Sequence, residues 1–148
     1  MKGYRTWVLV ADGQRGRIYA SEAPGAGLVA VGEELSHELP PSREMGTDKP
    51  GRSFDSLGGQ RHALAPRADW HDQAKEQFAR DLAKRLDEAA LRGEYDRLVL
   101  VAPPAALGEL RAAIGTAASE RVVAELGKDL THLALHELPE RIRAVASI

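Results

Sequence analysis

The residues of this sequence best suited to chemistry are Gly58, Gly59 and Gln60. Two adjacent glycines allow backbone conformations closed to other residues, so the main chain can approach a ligand closely. A backbone N–H held at such a tip can stabilise an oxyanion that develops during acyl transfer. The side-chain amide of Gln60 can position a water molecule or a sugar hydroxyl. The tripeptide is therefore a candidate catalytic site, with an ordinary loop turn as the alternative interpretation.

Basic residues surround this tripeptide and suggest the kind of partner it would meet. Lys and Arg displace counterions from a phosphate backbone, and aromatic rings stack on bases. A solvated polar loop without a partner would have a similar composition, and the helix expected after the loop carries as many acids as bases. The candidate RNA-binding residues are Lys49, Arg52, Phe54, Arg61, His62 and Arg67.

Two pairs of residues suggest metal chemistry but have simpler explanations. Asp12 follows one expected strand and Asp96 begins another, an arrangement that would suit a two-metal nuclease. Each aspartate is also an ordinary turn or strand-edge residue. His132 and His136 would share a helix face, but the residues between them lack the glutamate of a zinc protease.

Two further groupings are possible on paper. His62, His71 and Glu76 could gather near a metal, although nothing fixes their spacing. Ser53, Ser56 and His62 could form a hydrolytic triad, but no nucleophile-elbow signature accompanies them. The sequence therefore predicts neither a metal site nor a cofactor.

The catalytic and RNA-binding candidates lie in one stretch, Ser36–Asp69, which has no helical or strand period. Regular structure is interrupted there by prolines and glycines, namely Pro40, Pro41, Gly46, Pro50, Gly51, Gly58, Gly59 and Pro66. A loop of this length inside a small domain is usually functional or disordered. We expect a functional loop over residues 36–69.

The chain before the loop predicts a three-stranded antiparallel meander. Trp7–Ala11 is an apolar run typical of a strand buried on both faces. Asp12-Gly13 is a turn signal, and Arg17–Ser21 alternates like a second strand. A third strand is expected to begin at Leu28 and to end near Leu35.

The chain after the loop predicts a long helix that Asp69 caps and Gly93 ends. Its apolar face repeats every four residues, at Trp70, Ala74, Phe78, Leu82, Leu86 and Ala90. The remaining expected elements are a strand over Arg97–Ala102, a helix over Ala105–Ile114, a strand over Val122–Leu126 and a helix over Glu137–Ala146. The two apolar strands should lie centrally in a mixed α/β sheet with helices on its faces.

Composition sets the broad class of the protein. The 148 residues fit one domain, residues 1–148, and the net charge of −2 gives no bulk basic character. There are no cysteines, which removes disulfides and thiolate metal sites. The apolar run near the N-terminus is too short for a signal peptide or a membrane span. We expect a cytoplasmic protein without a membrane partner, and the sequence indicates no oligomeric state.

Several stretches of the chain resemble the bacterial host attachment protein family. They are WVLVADGQRGRIY, DKPGRSFDS, RHA, YDRLVLVAPPAALGELR and VVAELGKDLTHL, which together extend over nearly the whole chain. Proteins of that family are described as required for attachment to host cells. The resemblance implies a role in adhesion.

The order of elements also resembles the middle domain of the eukaryotic and archaeal peptide-chain release factor. That resemblance implies a single-domain ribonuclease H-like fold in which a loop before the long helix carries a Gly-Gly-Gln tip. In the release factor the tip promotes hydrolysis of the peptidyl-tRNA ester. Carried over, Gly58 and Gly59 would shape the tip, and Gln60 would stabilise the transition state and position water. We expect no codon-reading domain, and hence no recognition of a stop codon like that of the release factor.

Three hypotheses about function follow. The first is a protein associated with the ribosome or with tRNA that hydrolyses peptidyl-tRNA. The second is a non-enzymatic module that binds RNA or a protein through a loop that orders on binding. The third is a host-cell attachment factor, which would need an export route.

Overall fold

The chain begins with a buried β-hairpin. Strand β1 (Thr6–Ala11) pairs antiparallel with β2 (Arg15–Ser21), as the sequence predicts. The computed structural model describes residues 4–36 and 64–148, with the backbone alone over residues 64–72. Every residue of β1 is buried, which explains its unbroken apolar run.

The third predicted strand forms as two short strands. β3 (Val29–Ala30) and β4 (Leu35–Ser36) both pair antiparallel with β2. Gly32, between them, has a φ of 70°, which a side chain would strain, and the chain therefore turns there instead of continuing as a strand. The expectation of one continuous strand from Leu28 to Leu35 is wrong in this respect.

Two parallel strands complete the sheet. β5 (Arg97–Val101) pairs parallel with β1, and β6 (Val122–Leu126) pairs parallel with β5. The order across the sheet is β3-β2-β1-β5-β6, with β4 alongside β2. The predicted central position of the two apolar strands is therefore confirmed.

The long helix α1 spans Leu64–Leu91. Asp69 is therefore not its N-cap, and the loop ends earlier than the sequence predicts. Pro66 lies in the first turn, where a missing N–H costs nothing because the first four N–H groups of a helix have no intrahelical acceptor. At the other end Gly93 has a φ of 72°, in agreement with the predicted stop.

Three helices share one face of the sheet. They are α1, α2 (Pro104–Ala113) and the four-residue α3 (Thr116–Ser119), which the sequence does not predict. Alternate residues of β1, including Trp7 and Leu9, point into the core beneath them. Among the predicted face residues whose side chains are described, Phe78, Leu82, Leu86 and Ala90 are buried, which confirms the face there, and Ala74 is half-buried.

The C-terminal residues cover the other face. A 3₁₀ turn (Leu135–Glu137) leads into α4 (Leu138–Ile142), which is shorter than the predicted helix over Glu137–Ala146. The chain turns after Ile142, and the side chain of Ile148 returns to the same core as Val8 and Val99. No helix among the described residues combines the length and the apolar character that crossing a membrane requires.

Tyr95 joins α1 to the start of the central strands. Its ring stacks on Trp7 with centroids 4.8 Å apart, and its hydroxyl donates a hydrogen bond of 2.9 Å to the carbonyl of Leu86. The residue is 1% exposed, and burial raises its pKa to about 12. The neutral phenol is therefore the form that fits the folded protein.

Asp87 joins α1 to α3. One of its carboxylate oxygens accepts a hydrogen bond of 2.8 Å from the N–H of Gly115, and the other accepts one of 3.1 Å from the N–H of Ala118. A Cβ at Gly115 would lie 3.0 Å from that carboxylate, so glycine leaves the space that the contact needs. Asp87 thus supplies the cap for a helix of a single turn.

We predict that Tyr95→Phe lowers the free energy of unfolding by about 1 kcal/mol, because one buried hydrogen bond is lost. Because the folded-state pKa is raised, wild-type stability should hold below about pH 10 and fall towards pH 12, as the unfolded chain loses the proton first. Urea unfolding over this pH range, with absorbance titration of tyrosine, measures both effects. If Tyr95→Phe still contains a tyrosine that titrates near pH 12, the raised pKa does not belong to Tyr95.

We predict that Asp87→Ala costs about 1–2 kcal/mol of unfolding free energy, because two N–H groups lose their acceptor. Glu88→Ala is the matched control, since this neighbouring acid is exposed and accepts no hydrogen bond from α3. It should change stability by less than about 0.5 kcal/mol. Equal losses in the two variants would show that the carboxylate of Asp87 is not a cap.

Candidate functional site

The catalytic and RNA-binding candidates lie mostly outside the described residues. Gly58, Gly59 and Gln60 fall there, as do Lys49, Arg52, Phe54, Arg61 and His62. Arg67 lies in the part of α1 whose backbone alone is described. Their proposed roles stay predictions. What the structure defines is the body of the protein to which they are joined.

The described chain on either side of these candidates passes one edge of the sheet. Ser36 pairs with Arg15 at the start of β2, next to the turn where β1 ends. α1 reaches the same turn, since a Cβ on Gly13 would lie 3.5 Å from the side-chain carbons of Lys75. We call this side of the sheet, with the turn at residues 12–14, the turn edge.

α1 extends past the turn edge. Lys75 is level with the turn, and residues 64–74 precede it in the same helix. At a rise of about 1.5 Å per residue, this backbone projects roughly 16 Å beyond the sheet. The candidate tripeptide ends four positions before the first residue of that projecting helix.

A cleft of about 320 Å³ opens at the turn edge, between the β1–β2 turn, α1 and the start of α2. Its lining includes Gln14, Lys75, Pro103, Ala105, Ala106 and Glu109. The aliphatic part of Lys75 packs over Gly13, so the side chain is held beside the cleft. Sequence reasoning missed Lys75 because it is one of many charged residues on a charge-balanced helix.

The start of α2 adds backbone donors to this cleft. Its N-cap is Pro103, which makes no side-chain capping hydrogen bond, and Pro104 has no N–H. The N–H groups of Ala105 and Ala106 have no intrahelical acceptor at this position. With Lys75 they offer contacts to an anion such as a phosphate, although the carboxylate of Glu109 opposes it.

Asp12 has a structural role. Its Oδ1 accepts hydrogen bonds from the N–H of Gln14 (2.7 Å) and of Arg15 (2.8 Å). The N–H of Asp12 in turn donates to the carbonyl of Arg15 at 2.9 Å. The carboxylate therefore closes the turn between β1 and β2.

The two-metal nuclease interpretation is wrong. Asp96 accepts a hydrogen bond of 2.9 Å from the N–H of Arg5 at the start of β1, whereas Asp12 follows the end of β1. β1 and β5 are parallel, with Thr6 opposite Arg97. Asp96 therefore lies where the two strands begin, and Asp12 lies beyond the end at which β1 finishes.

The histidine candidates do not assemble a site either. His132 lies in a turn and His136 in the 3₁₀ segment, so the two do not share the face of one helix. The side chain of His71 is not described, and His62, Ser53 and Ser56 lie outside the described residues. Within residues 4–36 and 73–148, no group of three or more His, Asp or Glu side chains could hold a metal ion.

Comparison with known proteins gives one family and a structural similarity. No curated protein matches the chain. Among solved structures, the crystal structure of an archaeal translation termination factor is similar, with 13% identity and a TM-score of 0.48. The match covers 93% of this chain and 34% of that one, so the chain spans about a third of the termination factor.

The family comparison covers most of the chain. The model of a family described as "Protein required for attachment to host cells" matches residues 7–142. Apart from Thr6, the first residue of β1, this range includes the six strands of the described residues and the helices α1 to α4. The chain therefore belongs to the host attachment protein family.

Proposed function

We propose that this protein associates with the ribosome or tRNA in the cytoplasm and hydrolyses the ester bond of peptidyl-tRNA. The observation that carries the proposal is the sequence position of Gly58-Gly59-Gln60, a tripeptide that ends four positions before a helix that projects beyond the turn edge. The resemblance to the release-factor middle domain supports the proposal, because that domain also carries a Gly-Gly-Gln tip in the loop before its long helix. A ribonuclease H-like topology is part of this proposal.

Each residue of the tripeptide has a role in the proposed reaction. Gly58 and Gly59 let the main chain approach the ester, since neither carries a Cβ. The N–H of Gln60 donates to the oxyanion that forms when water attacks the ester carbonyl. Its side-chain amide positions that water. The attacking water gives the hydroxyl of the released peptide acid, and the tRNA ribose oxygen leaves with a proton.

The RNA contacts in this proposal come from the loop and from the turn edge. Lys49, Arg52, Arg61, His62 and Arg67 bind phosphates, and Phe54 stacks on a base. At the turn edge, Lys75 and the open N–H groups of α2 provide a further phosphate contact. The loop and the body would thus bind one RNA together.

We predict that the wild-type protein releases a labelled peptide from ribosome-bound peptidyl-tRNA and that Gln60→Ala lowers the rate about 100-fold or more. We expect this loss because the substitution removes the side-chain amide that positions the attacking water and displaces the backbone N–H that donates to the oxyanion. Gln73→Ala is the matched control, because this exposed glutamine lies on α1. It should release peptide at the wild-type rate.

The same experiment decides between catalysis and binding alone. If neither wild type nor variant releases peptide, under conditions where a release factor works, the catalytic proposal is overturned. Retained RNA binding in that case would assign the loop to a non-enzymatic module.

We predict that Lys75→Ala weakens binding to a short RNA and lowers the slope of log affinity against log salt by about 0.7, the value for one lost phosphate contact. Lys84→Ala is the control, since Lys84 is also exposed on α1 but does not line the cleft. Equal effects of the two substitutions would show a general charge effect instead of a site at the turn edge.

A second candidate function is attachment to host cells, which the family match over residues 7–142 favours. Its test is the location of the protein in the cells that produce it. Fractionation with surface labelling would support attachment if the protein is found outside the cytoplasm. A purely cytoplasmic protein would overturn a direct role in adhesion.

A further inference from the structure

Two arginines of β2 lie side by side at a pocket away from the cleft of the turn edge. Arg15 and Arg17 alternate along the strand, so their side chains leave the same face. They are 62% and 58% exposed and border a pocket of about 50 Å³. Val10 and Leu130 form the apolar part of its lining.

One carboxylate is shared between these arginines. Oε1 of Glu34 accepts hydrogen bonds of 3.0 Å from Nη2 and 3.3 Å from Nε of Arg17. Oε2 of the same group lies 4.0 Å from Nε of Arg15. Two N–H groups on one edge of the Arg17 guanidinium thus point at a single oxygen, and the same edge can bind a carboxylate or a phosphate. Glu34 therefore occupies a position that suits an external anion.

The arginines and the glutamate are held with different strength. β2 pairs with β1 from Gly16 to Ser21, which holds the backbone of Arg17. The backbone of Arg15 is held in the adjoining turn by its hydrogen bonds with Asp12. Glu34 lies between the turn at Gly32 and β4, a strand of two residues. Such short pairing opens more easily than a central strand. The carboxylate can thus leave while the backbone of Arg15 and Arg17 stays in place.

Two further charged groups lie near Arg15. Asp129 lies near Arg15, and the side-chain and backbone hydrogen bonds from Thr131 lower its pKa, so it stays ionised. His132 is close to the same carboxylate. With Glu34 in place, two acids balance Arg15 and Arg17. When Glu34 leaves, the site carries an excess positive charge.

We infer that Arg15 and Arg17 bind successive phosphates of an RNA backbone and that Glu34 is an internal carboxylate that competes for them. The arginines lie two residues apart on one strand, a separation of about 6.7 Å, so they can engage two groups of a polymer at once. A free phosphate would take only the single position of Glu34 between the two guanidinium groups. This inference rests on the RNA partner of the proposed function, but not on its hydrolytic step.

The pocket is placed to bind the same RNA as the loop. Arg15 pairs with Ser36, the last described residue before the candidate loop. Glu34 lies two positions before Ser36. RNA that displaces this carboxylate would therefore act on the short strand from which the loop leaves the sheet.

We predict that Glu34→Gln binds a short fluorescein-labelled oligouridylate about five-fold more tightly than wild type. This is the effect of removing one repelling charge about 4 Å from a phosphate in water. In the Glu34→Gln background, replacing both Arg15 and Arg17 by alanine should lower the salt slope of binding by about 1.4, because two phosphate contacts are lost. Fluorescence anisotropy at several salt concentrations measures both quantities.

Glu125→Gln is the matched control. Glu125 accepts a similar forked contact from Arg111 (2.8 and 2.9 Å), away from β2, and the substitution changes the net charge equally. It should leave RNA affinity unchanged. Equal gains from the two substitutions, or no gain from Glu34→Gln, would overturn the inference. Inorganic phosphate is the second probe, and an equal gain in its affinity would assign the pocket to free phosphate instead of RNA.

Gln60→Ala separates this inference from the catalytic proposal. The variant should keep the effect of Glu34→Gln on RNA binding whether or not it hydrolyses peptidyl-tRNA. Loss of hydrolysis with the binding effect retained supports both proposals. Absence of hydrolysis in wild type, with the binding effect present, overturns only the catalytic one.

Discussion

The parallel pairing of β1 with β5 is the constraint on which the rest of the structure depends. Both strands are buried on both faces, so each must direct alternate residues into two separate cores. Trp7 enters the core under α1, while Val8 enters the core under the C-terminal residues. A slip of one residue would exchange the two sets. The register of this pair therefore decides which side chains face α1 and which face the C-terminal residues.

The main elements of the fold are predictable from local patterns. Apolar runs mark β1 and β5 because strands buried on both faces cannot alternate, and a four-residue repeat marks α1. The start of α1 is not predictable from its cap, since Asp69 is a good capping residue that happens to lie inside the helix. The one-turn helix α3 also escapes prediction, because Asp87 caps it from a distant position in the sequence.

The candidate site is less accessible to sequence reasoning than the fold. Gly58, Gly59 and Gln60 stand out because their residue types are specific, and they remain a prediction. Asp12 and Asp96 stand out equally, yet they lie at opposite ends of the paired strands β1 and β5. Lys75, Arg15 and Glu34 do not stand out, because a surface charge has no periodicity and gains significance only from neighbours that folding brings to it.

The long stretch of sequence between the two paired central strands has a consequence for how this protein can change over evolution. Thr6 and Arg97 pair across β1 and β5 although they are 91 positions apart in the sequence. Their pairing closes a loop of chain, and residues 37–63 belong to that loop. The entropy of closing a chain rises only with the logarithm of its length, about 0.6 kcal/mol for each doubling. Insertions or deletions in residues 37–63 therefore cost the domain little closure entropy. Selection can remodel that stretch for new partners while the sheet that carries it is left unchanged.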